Sequence, residues 1–174
     1  MKPSYYSVLE SPVGPLMLRW SGDALIGLYF ENSSMMTPRP EWTRDDARLA
    51  PVRAQLEEYF RGERKTFDLP LAFEGTSFQQ RVWKALCEIP FGETISYGEL
   101  ARRVGEANWP GARAVGGANN KNPIAIIAPC HRVIGANGDL TGFGGGLPAK
   151  RWLLEHEGWR EARPVVAQMS LLAV

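Results

Sequence analysis

The spacing of hydrophobic residues changes near Gly75, and this change limits the possible folds more than any other feature of the 174-residue chain. Before it, "YYSVLE", "PLMLRW" and "ALIGLYF" are short β-prone runs separated by "SPVG" and "SGD", the punctuation of an antiparallel meander. "DDARLAPVRAQLEEYFRGE" follows, with Leu49, Val52, Leu56 and Phe60 at helical spacing and Gly62 as a stop. "KTFDLPLAFEGT" then reads as a linker. After it the period is helical. The expected fold class is therefore α/β, with a small antiparallel sheet and a helix over residues 1–74, a mostly helical unit over 75–160 and a C-terminal extension over 161–174.

Two of the later helices carry start signals. In "SFQQRVWKALCEIP" Ser77 and Gln80 form a capping box, Phe78, Val82, Leu86 and Ile89 form a stripe, and Pro90 ends it. Cys87, one position past that stripe, is expected to be a packing thiol. In "TISYGELARRVG" Ser96 and Glu99 repeat the capping box and Gly105 is the stop. "GARAVGGANNKN" completes the outline of a helix-turn-helix. Gly116 and Gly117 each cost that second helix about 1 kcal/mol against alanine, so either a neighbouring helix or an outside surface must approach closely there. "PIAIIA" reads as a buried strand, "NGDLTGFGGG" as a flexible loop and "LPAKRWLLEHEG" as a closing helix, with Pro148 in its first turn and Gly158 past its end. His156 shares the apolar stripe of that helix with Ala149, Trp152 and Leu153 and is expected to be a satisfied core histidine.

Composition excludes several classes. Cys87 and Cys130 are too few for a disulfide framework, no charged-then-apolar leader precedes "MKPSYYSVLE", and no apolar run reaches the ~18 residues of a membrane span. The expectation is a reduced, cytoplasmic, non-membrane protein. With only His131 and His156 beside the cysteines, no pair of close-spaced ligand couples exists, and no metal is expected. Net charge is +1, with nine Lys/Arg against eleven Asp/Glu in residues 1–74 and eleven against eight beyond them. That asymmetry is compatible with ordinary surface scatter.

Chemistry concentrates in "IAIIAPCHRVIGANGDLTGFGGG". Cys130 follows Pro129 at the end of the expected strand, where side chains emerge at a cleft, and His131 and Arg132 stand beside it to favour the thiolate. A nucleophile needs a base, and the base needs an orienting carboxylate. Glu155, Glu157 and Asp139 are the nearby acids, and spacing does not choose among them.

The segments "FQQRVWKALCEIPFGETISYGELA", "ARAVGGANNKNPIAIIAPCHRVIG", "GDLTGFGGGL" and "KRWLLEHEG" resemble, in order, the O6-alkylguanine-DNA alkyltransferases. The resemblance spans almost all of residues 77–158; the N-terminal half matches in outline. It implies a ribonuclease H-like N-terminal unit and a winged-helix-like, DNA-binding C-terminal unit. The implied activity is irreversible, cofactor-independent transfer of an alkyl group from guanine O6, and less efficiently thymine O4, in duplex DNA to Cys130. By the same resemblance His131 matches a base acting through a water, Glu157 the carboxylate that orients it, and Asn122 the residue tying the active-site turn to the recognition helix. Tyr97 matches a proton donor to the base. The carbonyls of Cys130 and Val133 would accept from the guanine amine, and the Gly144 amide, beside Phe143, would face the oxygen. Ala112, Ala114, Gly116, Gly117 and Ala118 would let the helix enter the minor groove, with Arg113 filling the place of the extruded base.

The chain departs from its relatives in places. Phe143 stands where some have Tyr, Gly144 where others have Ser or Ala, and "GEANWPG" lengthens the turn by about two residues. The zinc ligands of some members have no counterparts, and nothing beyond Gly158 matches. The expected partner is double-stranded DNA carrying alkylated guanine, bound by a monomer, with cooperativity along DNA left open. Two other readings stand beside this one: a lesion sensor that recruits repair factors without chemistry, whose known relatives carry Trp at the cysteine position, and a cysteine hydrolase or acyltransferase using Cys130, His131 and Glu157.

Overall fold

The structure, a computed structural model, describes residues 2–161, so the C-terminal extension expected over 161–174 lies outside the described residues beyond Glu161. Strands β1 (Ser4–Leu9), β2 (Leu16–Ser21) and β3 (Ala24–Tyr29) form the expected antiparallel meander. A fourth strand, β4 (Trp42–Arg44), adds to the free edge of β1 in parallel, giving the order β3-β2-β1-β4. Helix α1 (Ala50–Phe60) covers the sheet, and Gly62 terminates it in a left-handed conformation with φ 77°. Tyr59, not Phe60, takes the fully buried slot after Val52 and Leu56. The linker returns along the sheet, with Leu71 bridging to Leu25.

Helix α2 (Ser77–Leu86) begins one residue earlier than the expected box. Thr76 is the N-cap and exchanges both hydrogen bonds with Gln79, whereas Gln80 donates to the carbonyl of Gly75. Two adjacent hydroxyl residues followed by two glutamines fit the same motif in either register, so the pattern alone is degenerate. A two-residue strand β5 (Ile95–Ser96) leads into α3 (Tyr97–Arg103), capped by Ser96 as expected, with the Glu99 side chain turned instead to Arg103. Helix α4 (Trp109–Asn120) follows, capped by Asn108, and α5 (Leu147–His156) closes the fold with Pro148 in its first turn. Trp83 donates from Nε1 to the Ala118 carbonyl at 2.8 Å and so locks α2 to α4.

The apolar run 124–128 is buried but is not a strand. It makes one parallel bridge to Leu28 and then coils, with Ala128 N–H donating to the Ile124 carbonyl and Ile126 at φ 70°. Burial makes the run apolar, and apolarity alone does not separate strand from coil. Cys130 accordingly opens a 3-10 turn, Cys130–Arg132, which feeds β6 (Val133–Ile134), the parallel partner of β5.

Two cores result. One lies within α2, α3, α4 and the Cys130 turn. The other joins the sheet and α1 to Ile124, Ile126, Ile127 and Leu153, so C-terminal residues complete the N-terminal core. Among the described residues no helix is long and apolar enough to cross a membrane.

Candidate active site

The 3-10 turn holds Cys130 in place by its backbone. Its N–H donates to the Ala128 carbonyl at 2.8 Å, and its own carbonyl accepts from Val133 N–H. The residue is 5 % exposed and opens on a cavity of about 170 Å³. Burial pushes the thiol above its ordinary range, and the Asn122 side chain and the charge of Lys150 oppose this. The resting sulfur is therefore protonated, which makes a base necessary.

His131 meets Glu157, with Nε2 2.7 Å from Oε2 and both side chains buried. Glu157 also accepts from Arg132 Nε at 2.7 Å, from the Tyr59 hydroxyl at 2.6 Å and from Gly92 N–H at 3.4 Å. Burial alone would raise this carboxyl, but hydrogen bonds and charge from His131 and Arg132 dominate and hold it far below the usual range. Glu157 is thus ionised, so the imidazole Nε2 carries the proton and donates it. Nδ1 is left as an acceptor, and it is buried with no hydrogen-bond partner among the described residues. Burial depresses the His131 pKa, with Glu157 opposing, which keeps the ring neutral and able to take a proton at Nδ1.

Geometry also resolves the choice of acid. Glu155 is exposed and faces Arg151, and Asp139 sits in an exposed turn with Asn137. Arg132 corrects the expectation that it would favour the thiolate. It turns to Glu157 and to the Ile89 carbonyl, and the cation that acts on Cys130 is Lys150.

Lys150 is fully buried, donating to the carbonyls of Val133 at 2.6 Å and Thr141 at 3.1 Å, and burial lowers its pKa to about 8. Lys150 and Tyr59 are polar residues that sequence reasoning missed, and Arg132 is one whose partner it misjudged. Each had a signal: Lys150 lies on the same helical stripe as Leu153 and Leu154, Arg132 sits in an apolar run, and Tyr59 follows Leu56 by three.

Of the other expected residues, Asn122 donates to the Ala128 carbonyl at 2.7 Å and accepts from Ile124 N–H, binding the end of α4 to the coil that carries Cys130. Tyr97 donates its hydroxyl to the Thr141 carbonyl at 3.1 Å, and it lines a second cavity with Arg113 and Gly116. Asn120 lines both cavities, which connects the sulfur's side of the molecule to the α4 face. Phe143 and Gly144 line the cavity at Cys130. Val133 is buried, is not part of that lining, and its carbonyl already accepts from Lys150, leaving one lone pair free.

On α4, Arg113, Ala114 and Gly117 are exposed and Ala112 and Gly116 half-exposed. A Cβ on Gly117 would meet nothing within 4 Å, and one on Gly116 would only touch Tyr97 at 3.9 Å. Packing against a neighbouring helix therefore does not explain the glycine pair. Ala118 corrects the expectation for this face. It is buried, because Gly111, Val115 and Ala118 form the inward stripe and its carbonyl holds Trp83.

The remaining sulfur and imidazole divide. His156 stacks on Trp152 and donates to the Tyr59 carbonyl at 2.6 Å, as a satisfied histidine. Cys87 is exposed at the C-cap of α2, contrary to the packing expected of it, and its thiol donates back to the Trp83 carbonyl at 3.5 Å. Among the described residues no group of three or more His, Cys, Asp or Glu is placed to hold a metal ion.

Comparison with known proteins adds to this geometry. The family model "6-O-methylguanine DNA methyltransferase, DNA binding domain" matches residues 77–159, and that of the same family's ribonuclease-like domain matches residues 4–73. A methylated-DNA–protein-cysteine methyltransferase of Methanosarcina acetivorans is 50% identical over 155 residues, 88% of this chain and 98% of the relative. One of Mycobacterium bovis is 53% identical over 154 residues, 88% of this chain and 92% of the relative. The crystal structure of Mycobacterium tuberculosis OGT in complex with DNA superposes with a TM-score of 0.82 at 52% identity, covering 88% of this chain and 92% of that one.

Proposed function

Because the chain belongs to the 6-O-methylguanine DNA methyltransferase family, we propose that Cys130 is the thiol that accepts the alkyl group, with His131 and Glu157 as its proton relay. The protein binds DNA and repairs it by alkyl transfer. The substrate is duplex DNA bearing O6-alkylguanine, and O4-alkylthymine less efficiently, bound as a monomer through the minor groove.

The reaction is one displacement. The Cys130 proton passes through a water to His131 Nδ1, Sγ attacks the alkyl carbon from behind, and the bond from that carbon to O6 breaks. The departing electron pair is absorbed by guanine as Tyr97 gives a proton to the ring, with the Gly144 amide facing O6. The thioether on Cys130 is not reversed, so each molecule acts once. Arg113 takes the place of the extruded base, and the small outer face of α4 fits between the sugar-phosphate walls. Asn122 keeps the Cys130 turn in register with that helix.

The observation that carries this reading is the buried Nδ1 of His131, without a partner among the described residues, in a ring whose other nitrogen is committed to an ionised carboxylate. No protein group competes for that acceptor among the described residues, which leaves it free for the bridging water. The test is single-turnover incubation with a methylated duplex followed by peptide mass spectrometry. One methyl group is expected on the Cys130 peptide, none on the Cys87 peptide, and no lesion removal by Cys130→Ala. Lesion removal by that variant, or DNA binding without any gain in mass, would sink the reading.

A further inference from the structure

The cavity at Cys130 is not built from the C-terminal half alone. Its far wall is Tyr29, Phe30 and Ser33, at the end of β3 and the turn after it, and its near wall is Phe143, Gly144 and Gly145. The two walls are joined directly. The Asn32 Nδ2 donates to the Gly144 carbonyl at 2.8 Å, across 112 residues of sequence. Beside that bond Phe30 and Phe143 meet edge to face, with ring centroids 5.3 Å apart. A Cβ on Gly145 would lie 2.6 Å from the Phe30 ring, so glycine is required for the loop to rest there.

Gly144 is different. The nearest heavy atom to a Cβ at that position is the Asn120 carbonyl oxygen at 3.8 Å, and its φ is not left-handed, so a methyl is accommodated on the cavity side. The loop "GFGGG" thus has little side chain of its own to fix its distance from the sulfur. The N-terminal turn supplies that distance.

We propose that Asn32 sets the largest alkyl group the cavity admits, by tying the Gly144 carbonyl to the turn after β3; this rests on the transfer reaction above. A methyl group adds one carbon behind O6 and leaves the loop in place. A benzyl group needs the loop to draw back from Cys130, and the Asn32 bond opposes that movement. The N-terminal half therefore acts on substrate selection without touching the reacting atoms.

The experiment compares single-turnover rate constants on O6-methylguanine and O6-benzylguanine duplexes for the wild type, Asn32→Ala and Asn32→Asp. The aspartate keeps the shape and loses the donor. Both variants should raise the benzyl-to-methyl ratio about threefold or more while the methyl constant stays within about twofold of wild type. Gly144→Ala, which fills the cavity, should lower the ratio. A purely structural role for Asn32 would shift the unfolding midpoint and leave the ratio alone. A ratio raised less than that, or lowered, in the Asn32 variants overturns the inference, whereas absence of methyl transfer by the wild type overturns the reaction itself.

Discussion

Glu157 gathers donors from three separate places, and its behaviour in acid follows from them. In the unfolded chain its carboxyl takes a proton near its ordinary 4.5, while in the folded state His131 and Arg132 hold it far lower. Its stabilisation is therefore present above pH 4.5 and lost as pH falls below it. His131, whose folded pKa lies below its ordinary 6.5, adds a separate decline as pH drops through 6.5, because only the unfolded ring then takes a proton. Glu157→Gln leaves the Arg132 guanidinium buried without a counter-charge, and about 3–5 kcal/mol of stability should be lost at neutral pH. Urea unfolding from pH 7 to 3 should show a decline below 4.5 for the wild type that is shallower in the variant, since Asp46 and Glu63 are also held below their ordinary values. Spacing made Cys130, His131 and three candidate acids visible but did not choose among them, and Glu157 entered only through the family resemblance. That choice depends on where the end of α5 lands against α1, a contact between residues 98 apart.

At the scale of elements, α4 turns one apolar stripe inward and one nearly side-chain-free stripe outward. Gly117 lies in open space, so its cost is not repaid by packing within the protein. Gly117→Ala should raise stability by up to about 1 kcal/mol, measured by thermal unfolding, with lesion repair retained. Gly117→Leu should fold as well as wild type yet weaken duplex DNA binding by about tenfold or more, read by fluorescence anisotropy. Unimpaired binding by the leucine variant would show that this face does not enter a groove. The helices were legible because period and caps agree, as at the Ser96 end, although α4 starts at Trp109, ahead of the expected "GARAVGGANNKN", on an Asn108 cap that was not read. The run 124–128 was not, since a single bridge to Leu28 and the left-handed Ile126 leave no trace in a string of apolar residues. A β-branched residue at positive φ costs about 1–3 kcal/mol, and here it aims the chain into the Cys130 turn.

For the whole molecule, the division seen in the sequence at Gly75 is not a division in packing. Leu28 and Leu56 share a core with Ile124, Ile127 and Leu153, and Tyr59 crosses to Glu157. The two halves should therefore unfold together. Tryptophan fluorescence and labelling of buried Cys130 should report the same urea midpoint, and an earlier, separate transition of the sheet would contradict this.

The joining of Tyr59, His131 and Arg132 on one carboxylate has a practical corollary. Under the proposed relay, a copy that has lost its assembly still possesses a cysteine, but no longer the groups that would relieve it of its proton. Since each competent copy is consumed once, counting the lesions a sample removes is a census of its intact molecules, and the shortfall against total protein gauges how many have come apart.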